Sequence, residues 1–152
     1  MKGKLFAISG PSGVGKNSVL NRVMQLRDRV QYSVSATSRP MRPGEIDGKS
    51  YYFVTREQFE QMIAAGELLE HAEYVGNYYG TPLKPIQAAL AAGTDVVMDV
   101  DVVGALVLPV RVDERDGLRQ LGFALVVVGD DQIHAQLPAQ RGLVIGRDAA
   151  VD

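Results

Sequence analysis

Apolar positions along the chain alternate between two rhythms, one of about two residues and one of about three and a half, and the switches between them mark its elements. Lys4 to Ser9 is a short apolar run that predicts a buried strand. A glycine-rich loop follows, and then Val19, Leu20, Val23 and Met24 recur at helical spacing. Tyr32 to Ala36 predicts an extended segment, and Arg39 to Gly48, rich in Pro and Gly, predicts a turn-rich loop before the β-prone Tyr51-Tyr52-Phe53-Val54. Thr55 and Gln58 have the spacing of a capping box, opening a helix that uses Phe59, Met62 and Ile63 and stops at Gly66. Leu68 to Val75 predicts another extended piece. Thr81-Pro82 reads as an N-cap followed by proline at the first helical position, with a helix through Ile86, Leu90 and Ala91 closing at Gly93. Asp95 to Asp99 then predicts a buried strand that ends in an acid. Further on, Phe123 to Val128 and Leu143 to Ile145 predict strands joined by a segment just long enough for a crossover.

The loop between the first strand and first helix carries the first chemistry. Gly10-Pro11-Ser12-Gly13-Val14-Gly15-Lys16 places glycine-permitted backbone N–H groups, a mobile lysine charge and a helix N-terminus around one point. Such a loop cradles a polyphosphate, so a nucleoside triphosphate is the expected ligand. Where the usual motif has Ser or Thr after the lysine, this chain has Asn17, and its first hydroxyl is Ser18. Mg²⁺ is therefore expected to be held through water, Ser18 or the substrate phosphates. Asp99, ending a strand of the same sheet, is the carboxylate expected to orient the metal and its waters.

Composition narrows the setting. The 152 residues make one domain, and 46% hydrophobic with 22% charged residues is ordinary for a globular protein. No apolar run approaches the ~20 residues of a membrane span. The phosphate loop lies too near the start for a signal peptide, so a cytoplasmic protein without membrane partners is expected. The absence of cysteine excludes disulfides, thiolate nucleophiles and cysteine-based zinc sites. A net charge of −2 provides no global basic field, so nucleic acid is not an expected partner. Residues 1 to 50 nevertheless hold nine Lys or Arg against three Asp or Glu, while the rest hold seven against fifteen. Cations are concentrated where phosphate chemistry is expected. His71 and His134 have no partners at metal or triad spacing.

A second constellation runs Thr37-Ser38-Arg39-x-x-Arg42-x-x-Glu45-x-x-Gly48-x-x-Tyr51-x-Phe53. With the phosphate loop, Ser33-Val34-Ser35, Leu69-Glu70, Gly76 to Thr81 and Asp99-Val100-Asp101, it resembles the guanylate kinases, which phosphorylate GMP from ATP. The resemblance extends from Lys4 to about Ala105. It implies an α/β fold of the P-loop type: a mostly parallel sheet flanked by helices, with an inserted GMP-binding lobe. One domain of four parts is expected, with a P-loop core over 1–32, the GMP lobe over 33–82, further core over 83–105 and a divergent tail over 106–152. ATP and GMP are the implied partners and Mg²⁺ the implied cofactor. Two arginines three residues apart can converge on one phosphate, each through paired charge-assisted hydrogen bonds. By resemblance, Arg39, Arg42, Tyr51 and Tyr79 hold the GMP phosphate, and Glu70 reads the base with Ser35, Gly80, Thr81 and Asp101. The chemistry suits guanine, whose N1–H and 2-amino donors match one carboxylate, whereas adenine opposes it with an acceptor. Tyr52 and Tyr78 are expected to pack. By resemblance and motif together, catalysis rests on Lys16, Arg39, Arg42 and Asp99.

After Ala105 the sequence departs from that family. Residues 102–152 contain no Lys, Ser, Thr, Asn, Tyr or Met, and Arg141-Gly142 alone echoes a lid that bears paired arginines. The lid cations would clamp the transferring group, so the tail bears on turnover more than on GMP binding. A nucleotide-binding or interaction module of the same family, without efficient turnover, is the alternative reading.

Overall fold

The apolar run after Lys4 becomes the middle of a sheet because both of its faces are covered. In the computed structural model, which describes residues 2–10, 13 and 15–100 and the strands Phe123–Val128, Ile133–Gln136 and Leu143–Ile145, β1 (Leu5–Ser9) lies between two parallel neighbours. Leu5 and Ala7 pack with Val96 and Met98 of β7 (Asp95–Asp99) against Leu83, Ile86, Ala89 and Leu90 of α3 (Leu83–Ala91). On the opposite face Ile8 and Val97 pack against Leu20 of α1 (Lys16–Leu26), with Phe6 and Met24 beside them. The two-residue side-chain period of a strand thus sends alternate residues into two half-cores, one under each helix. Val19, expected on the inner face of α1, is exposed instead.

The sheet has the order β10-β9-β8-β1-β7-β2. Its β2 (Val30–Tyr32), β7, β1 and β8 (Phe123–Val128) are parallel, while β9 (Ile133–Gln136) and β10 (Leu143–Ile145) continue it antiparallel. The strands expected at 123–128 and 143–145 are therefore present with those bounds, but a third strand lies between them. An antiparallel meander needs only turns and not the long return that a parallel crossover requires.

A second sheet, β4-β3-β6-β5, carries the middle of the chain. Tyr32 to Ala36 is not one strand: β2 ends at Tyr32 in the first sheet, and β3 (Ala36–Thr37) begins in the second. β4 (Tyr52–Phe53) pairs parallel with β3, and β5 (Leu68–Tyr74) forms a hairpin with β6 (Asn77–Pro82). That hairpin turns at Val75 and Gly76, both at positive φ, as a two-residue turn matched to strand twist requires. α2 (Arg56–Ala64) opens with the expected reciprocal capping box of Thr55 and Gln58. It ends where Gly66 adopts φ 66°. Its inner face holds Phe59 at 0% exposure, with Met62 and Ile63 packed nearby.

The Thr81-Pro82 reading needs correction. Both residues belong to β6, Pro82 is the N-cap of α3, and no side chain caps that helix. The Thr81 hydroxyl is used elsewhere, as described below. Leu83 and Ala89 join the expected Ile86 and Leu90 on the buried face of α3, and Ala91 is exposed. Among the described residues no helix is long and apolar enough to cross a membrane.

Phe59 joins α2 to the second sheet, stacking on Tyr78 with ring centroids 5.1 Å apart. A Cβ on Gly80 would come within 3.0 Å of Phe59 Cζ. Phe59→Ala is therefore expected to cost about 3–5 kcal/mol, from lost burial and an incompletely filled cavity. Urea unfolding followed by circular dichroism measures it, and an unshifted midpoint would contradict this packing.

Candidate functional site

The parallel strands of the first sheet end together at one edge. β1 and β7 run in register, with Ile8 opposite Asp99, so the loop leaving β1 and the acid ending β7 emerge side by side. Ligands of open α/β sheets lie outside these carboxyl ends. Gly13 and Gly15 have φ of 80° and 97°, a backbone conformation that residues with a Cβ rarely adopt. Gly15 is the N-cap of α1, whose first turn has no acidic residue to oppose an anion. Lys16 begins the helix, its Nζ donating to the Gly10 carbonyl at 2.7 Å and lying 4.0 Å from Asp99 Oδ1. The loop, the lysine and the strand-end acid thus come together as the sequence predicts. Asn17 and Ser18 are exposed on the first helical turn. Pro11, Ser12, Val14 and Asp101 lie outside the described residues, as do the side chain of His134 and the pair Arg141-Gly142. His71 is exposed on β5.

The second group of residues is arranged by strand alternation. α2 covers the face of the second sheet that carries Tyr78 and Gly80, so the period of two places Tyr79 and Thr81 on the opposite face. The β5–β6 register shifts between Leu68–Pro82 and His71–Gly80, leaving Leu69 and Glu70 together opposite Thr81. A bulge of this kind re-aims side chains. Here Leu69 enters the core under α3, and Glu70 accepts a 2.6 Å hydrogen bond from Thr81 Oγ1. Ser35 precedes β3, where Ala36 pairs with Gly80, and so lies beside Thr81 on the other side of β6. Glu70, Thr81 and Ser35 consequently share one row across three chain segments. Gly80 also has a steric reason to be glycine: a Cβ would sit 2.8 Å from the Glu70 carbonyl.

Arg39 is buried at 8% exposure, and its charge is met locally. Nη1 and Nη2 donate to the two oxygens of Glu45 at 2.8 and 2.6 Å, and Nη1 also donates to the Pro40 carbonyl at 3.0 Å. The guanidinium lies 5.0 Å from the Tyr51 ring centroid and 5.5 Å from that of Phe53. Tyr51 in turn meets Tyr79 edge to face at 6.2 Å. Arg39, Tyr51 and Tyr79 are therefore one cluster. Arg42 is exposed, and its guanidinium has no hydrogen-bond or ion-pair partner among the described residues. Its backbone N–H donates to Glu45 at 2.7 Å.

Glu45 is the residue that sequence reasoning left without a role. Pro43 and Gly44 form a hydrogen-bonded turn from Arg42 to Glu45, with Gly44 at φ 84°, the positions that proline and glycine favour in a type II turn. That turn brings the carboxylate back over the two arginines, so the Arg-Pro-Gly-Glu run was the signal available. Hydrogen bonds from Arg39, and then from the Arg42 backbone, hold the Glu45 carboxyl at about 2, well below its ordinary range. It remains ionised throughout the neutral range.

Tyr78 packs as expected, between Phe59 and the Arg56 guanidinium, which lies 4.4 Å from its ring centroid. Tyr52, expected to pack, is instead exposed. Tyr32 ends β2 beside the Ile8, Leu20 and Val97 core. Burial raises its hydroxyl pKa, and the charges of Asp99 and Tyr51 raise it further.

Comparison with known proteins gives the same picture. The family model described as Guanylate kinase matches residues 2–112, past the Ala105 limit read from the motifs. The guanylate kinase of Lactiplantibacillus plantarum is 53% identical over 118 residues, covering 77% of this chain and 56% of that protein. That of Lactococcus lactis is 50% identical over 113 residues, covering 74% of this chain and 55% of the relative. The chain thus spans little more than half the length of the relatives it matches. The crystal structure of guanylate kinase from Anaplasma phagocytophilum superposes with a TM-score of 0.63 at 33% identity, over 83% of this chain and 60% of that one. On the match across most of its length, and on a fold and site that agree with it, the chain belongs to the guanylate kinase family.

Proposed function

We propose that this chain binds ATP at the first-sheet loop and GMP on the second sheet, and transfers the terminal phosphoryl group to give ADP and GDP. Residues 33–82 form the acceptor lobe in this reading. The observation that carries it is the placing of a carboxylate–hydroxyl pair, Glu70 and Thr81, on the sheet face opposite α2 together with Tyr79, which joins the Arg39–Tyr51 cluster. A guanine base and a phosphate are the two ends of one nucleotide, and this face offers partners for both.

Lys16, the loop amides and the N-terminus of α1 hold the ATP phosphates. Arg39, Arg42, Tyr51 and Tyr79 hold the acceptor. The GMP phosphate is already anionic, so alignment and charge neutralisation, rather than a general base, lower the barrier. Among the described residues, a strand-end carboxylate, Asp99, 4.0 Å from Lys16 Nζ, and the hydroxyl of Ser18 on the first turn of α1 are oxygen donors that fit Mg²⁺. Mg²⁺ typically uses one or two carboxylates plus waters and substrate phosphates. When bound, the ion supplies neutralisation of phosphate charge, and Asp99 would hold it through water.

A coupled assay with ATP and GMP on the 152-residue chain tests the reading: GDP formation is expected, and GMP binding without GDP would support the binding-module reading. That second reading is favoured by the composition of residues 102–152, where Arg141-Gly142 has no second arginine of the lid pair.

Glu70→Gln should reduce GMP affinity roughly tenfold or more. The amide keeps the shape but turns one acceptor into a donor, opposing a guanine donor at about 1–3 kcal/mol. Calorimetric titration checks this, and unchanged affinity would remove Glu70 from the base pocket.

A further inference from the structure

We propose that Glu45 is the positioning residue of Arg39, holding one edge of the guanidinium so that the other edge faces the acceptor phosphate. The inference rests on the reading of Arg39 as a GMP phosphate ligand. A guanidinium has two edges that can each engage a pair of oxygens: the end carrying Nη1 and Nη2, and the side carrying Nε and Nη2. Glu45 occupies the end, at 2.8 and 2.6 Å, and the Pro40 carbonyl takes a second hydrogen of Nη1. Among the described residues, Nε–H and the other Nη2–H have no partner. Tyr51 and Phe53 hold the group in place through their rings. What remains is one parallel pair of donors, aimed by contacts on the other sides.

The same carboxylate reaches the second arginine through the backbone. Glu45 accepts from Arg42 N–H, and its own N–H donates to the Arg42 carbonyl at 3.1 Å. One side chain therefore sets the position of Arg39 directly and of the Arg42 main chain through the Pro43-Gly44 turn.

The negative charge of Glu45 would by itself repel a phosphate, so two effects of opposite sign compete. Without Glu45, however, a guanidinium buried at 8% exposure would be left short of acceptors and would turn toward water, losing the aimed edge. Orientation is expected to outweigh repulsion.

The test is a double-mutant cycle with GMP and guanosine as ligands, read by titration calorimetry. Glu45→Gln is expected to raise the GMP Kd about tenfold, about 1.4 kcal/mol, while leaving guanosine, which has no phosphate, within twofold. In an Arg39→Ala background the same substitution should no longer weaken GMP binding and should tighten it, because Glu45 acts favourably only through Arg39 and its unpaired charge otherwise repels the phosphate. Glu45→Asp keeps the charge but is one methylene shorter, and should give a smaller loss of the same sign. GMP affinity that is unchanged or tighter in both Glu45 variants would overturn the proposal, as would a parallel loss of guanosine and GMP, which would make Glu45 a general support of the loop. If Arg39→Ala itself leaves GMP binding intact, the assignment of Arg39 to the phosphate fails first, and the positioning role fails with it.

Discussion

Arg39→Ala is expected to weaken GMP binding by roughly 100-fold or more, about 2.7 kcal/mol, while changing ATP affinity less than about threefold. Three losses act together. The phosphate loses a pair of charge-assisted hydrogen bonds, each worth about 1.5–3 kcal/mol. The carboxylate of Glu45, now without the two donors at 2.6 and 2.8 Å, is left as an uncompensated anion near the phosphate. The rings of Tyr51 and Phe53 lose the group that lies against them. Arg39→Lys should recover little of this, since an ammonium is a point charge and cannot engage Glu45 on one edge and a phosphate on the other. Calorimetric titration with each nucleotide makes the measurement. Equal loss of both ligands would mean that the substitution disturbs the fold or a shared site, and the acceptor assignment would not survive it.

Lys16→Ala should act on the other substrate and on the rate. Removing a donor that stabilises developing charge typically costs about 10²–10³ in kcat, so GDP formation is expected to fall at least ~100-fold. GMP affinity should stay within twofold, because Lys16 lies at the ends of β1 and β7, by Gly10 and Asp99, and not in the cluster around Arg39. The glycines that shape the loop are untouched, and an alanine at the first helical position does not oppose the helix. Rates of GDP formation and GMP titrations on the same preparation separate the two effects. A variant that retains its rate would show that the lysine is not at the transferring phosphates. One that loses GMP affinity in step with rate would place it in the acceptor site.

These substitutions divide the site along the same line as the fold. The first sheet, with both faces packed by helices, provides a rigid parallel edge for the loop and Asp99. The second sheet is covered on one face by α2, and its other face carries Glu70, Thr81 and Tyr79.

Local pattern alone determined a good part of this protein. The strand before the loop, the glycines at positive φ, the capping box of Thr55 and Gln58 and the strand ending at Asp99 all depend on residues within a few positions of one another, where backbone sterics and side-chain period act directly. Pairing decided the rest. Nothing local says that the extended stretch from Tyr32 to Ala36 leaves one sheet and enters another, because both parts have the same β propensity. Thr81 before Pro82 has the form of a helix cap, yet it lies in β6, where its hydroxyl finds Glu70 across a bulge that depends on how two strands align. The strands at 123–128 and 143–145 were visible as apolar runs, while the strand between them and the antiparallel course of all three depend on which neighbour offers its edge. Glu45 shows the division within a single loop: the Pro-Gly turn that returns it is local chemistry, but its effect on Arg39 needs that side chain buried against Tyr51 and Phe53, which come from β4 and its approach. Spacing along a chain reports what neighbours in sequence can do, and hydrogen bonding between distant strands settles which of those possibilities the protein uses.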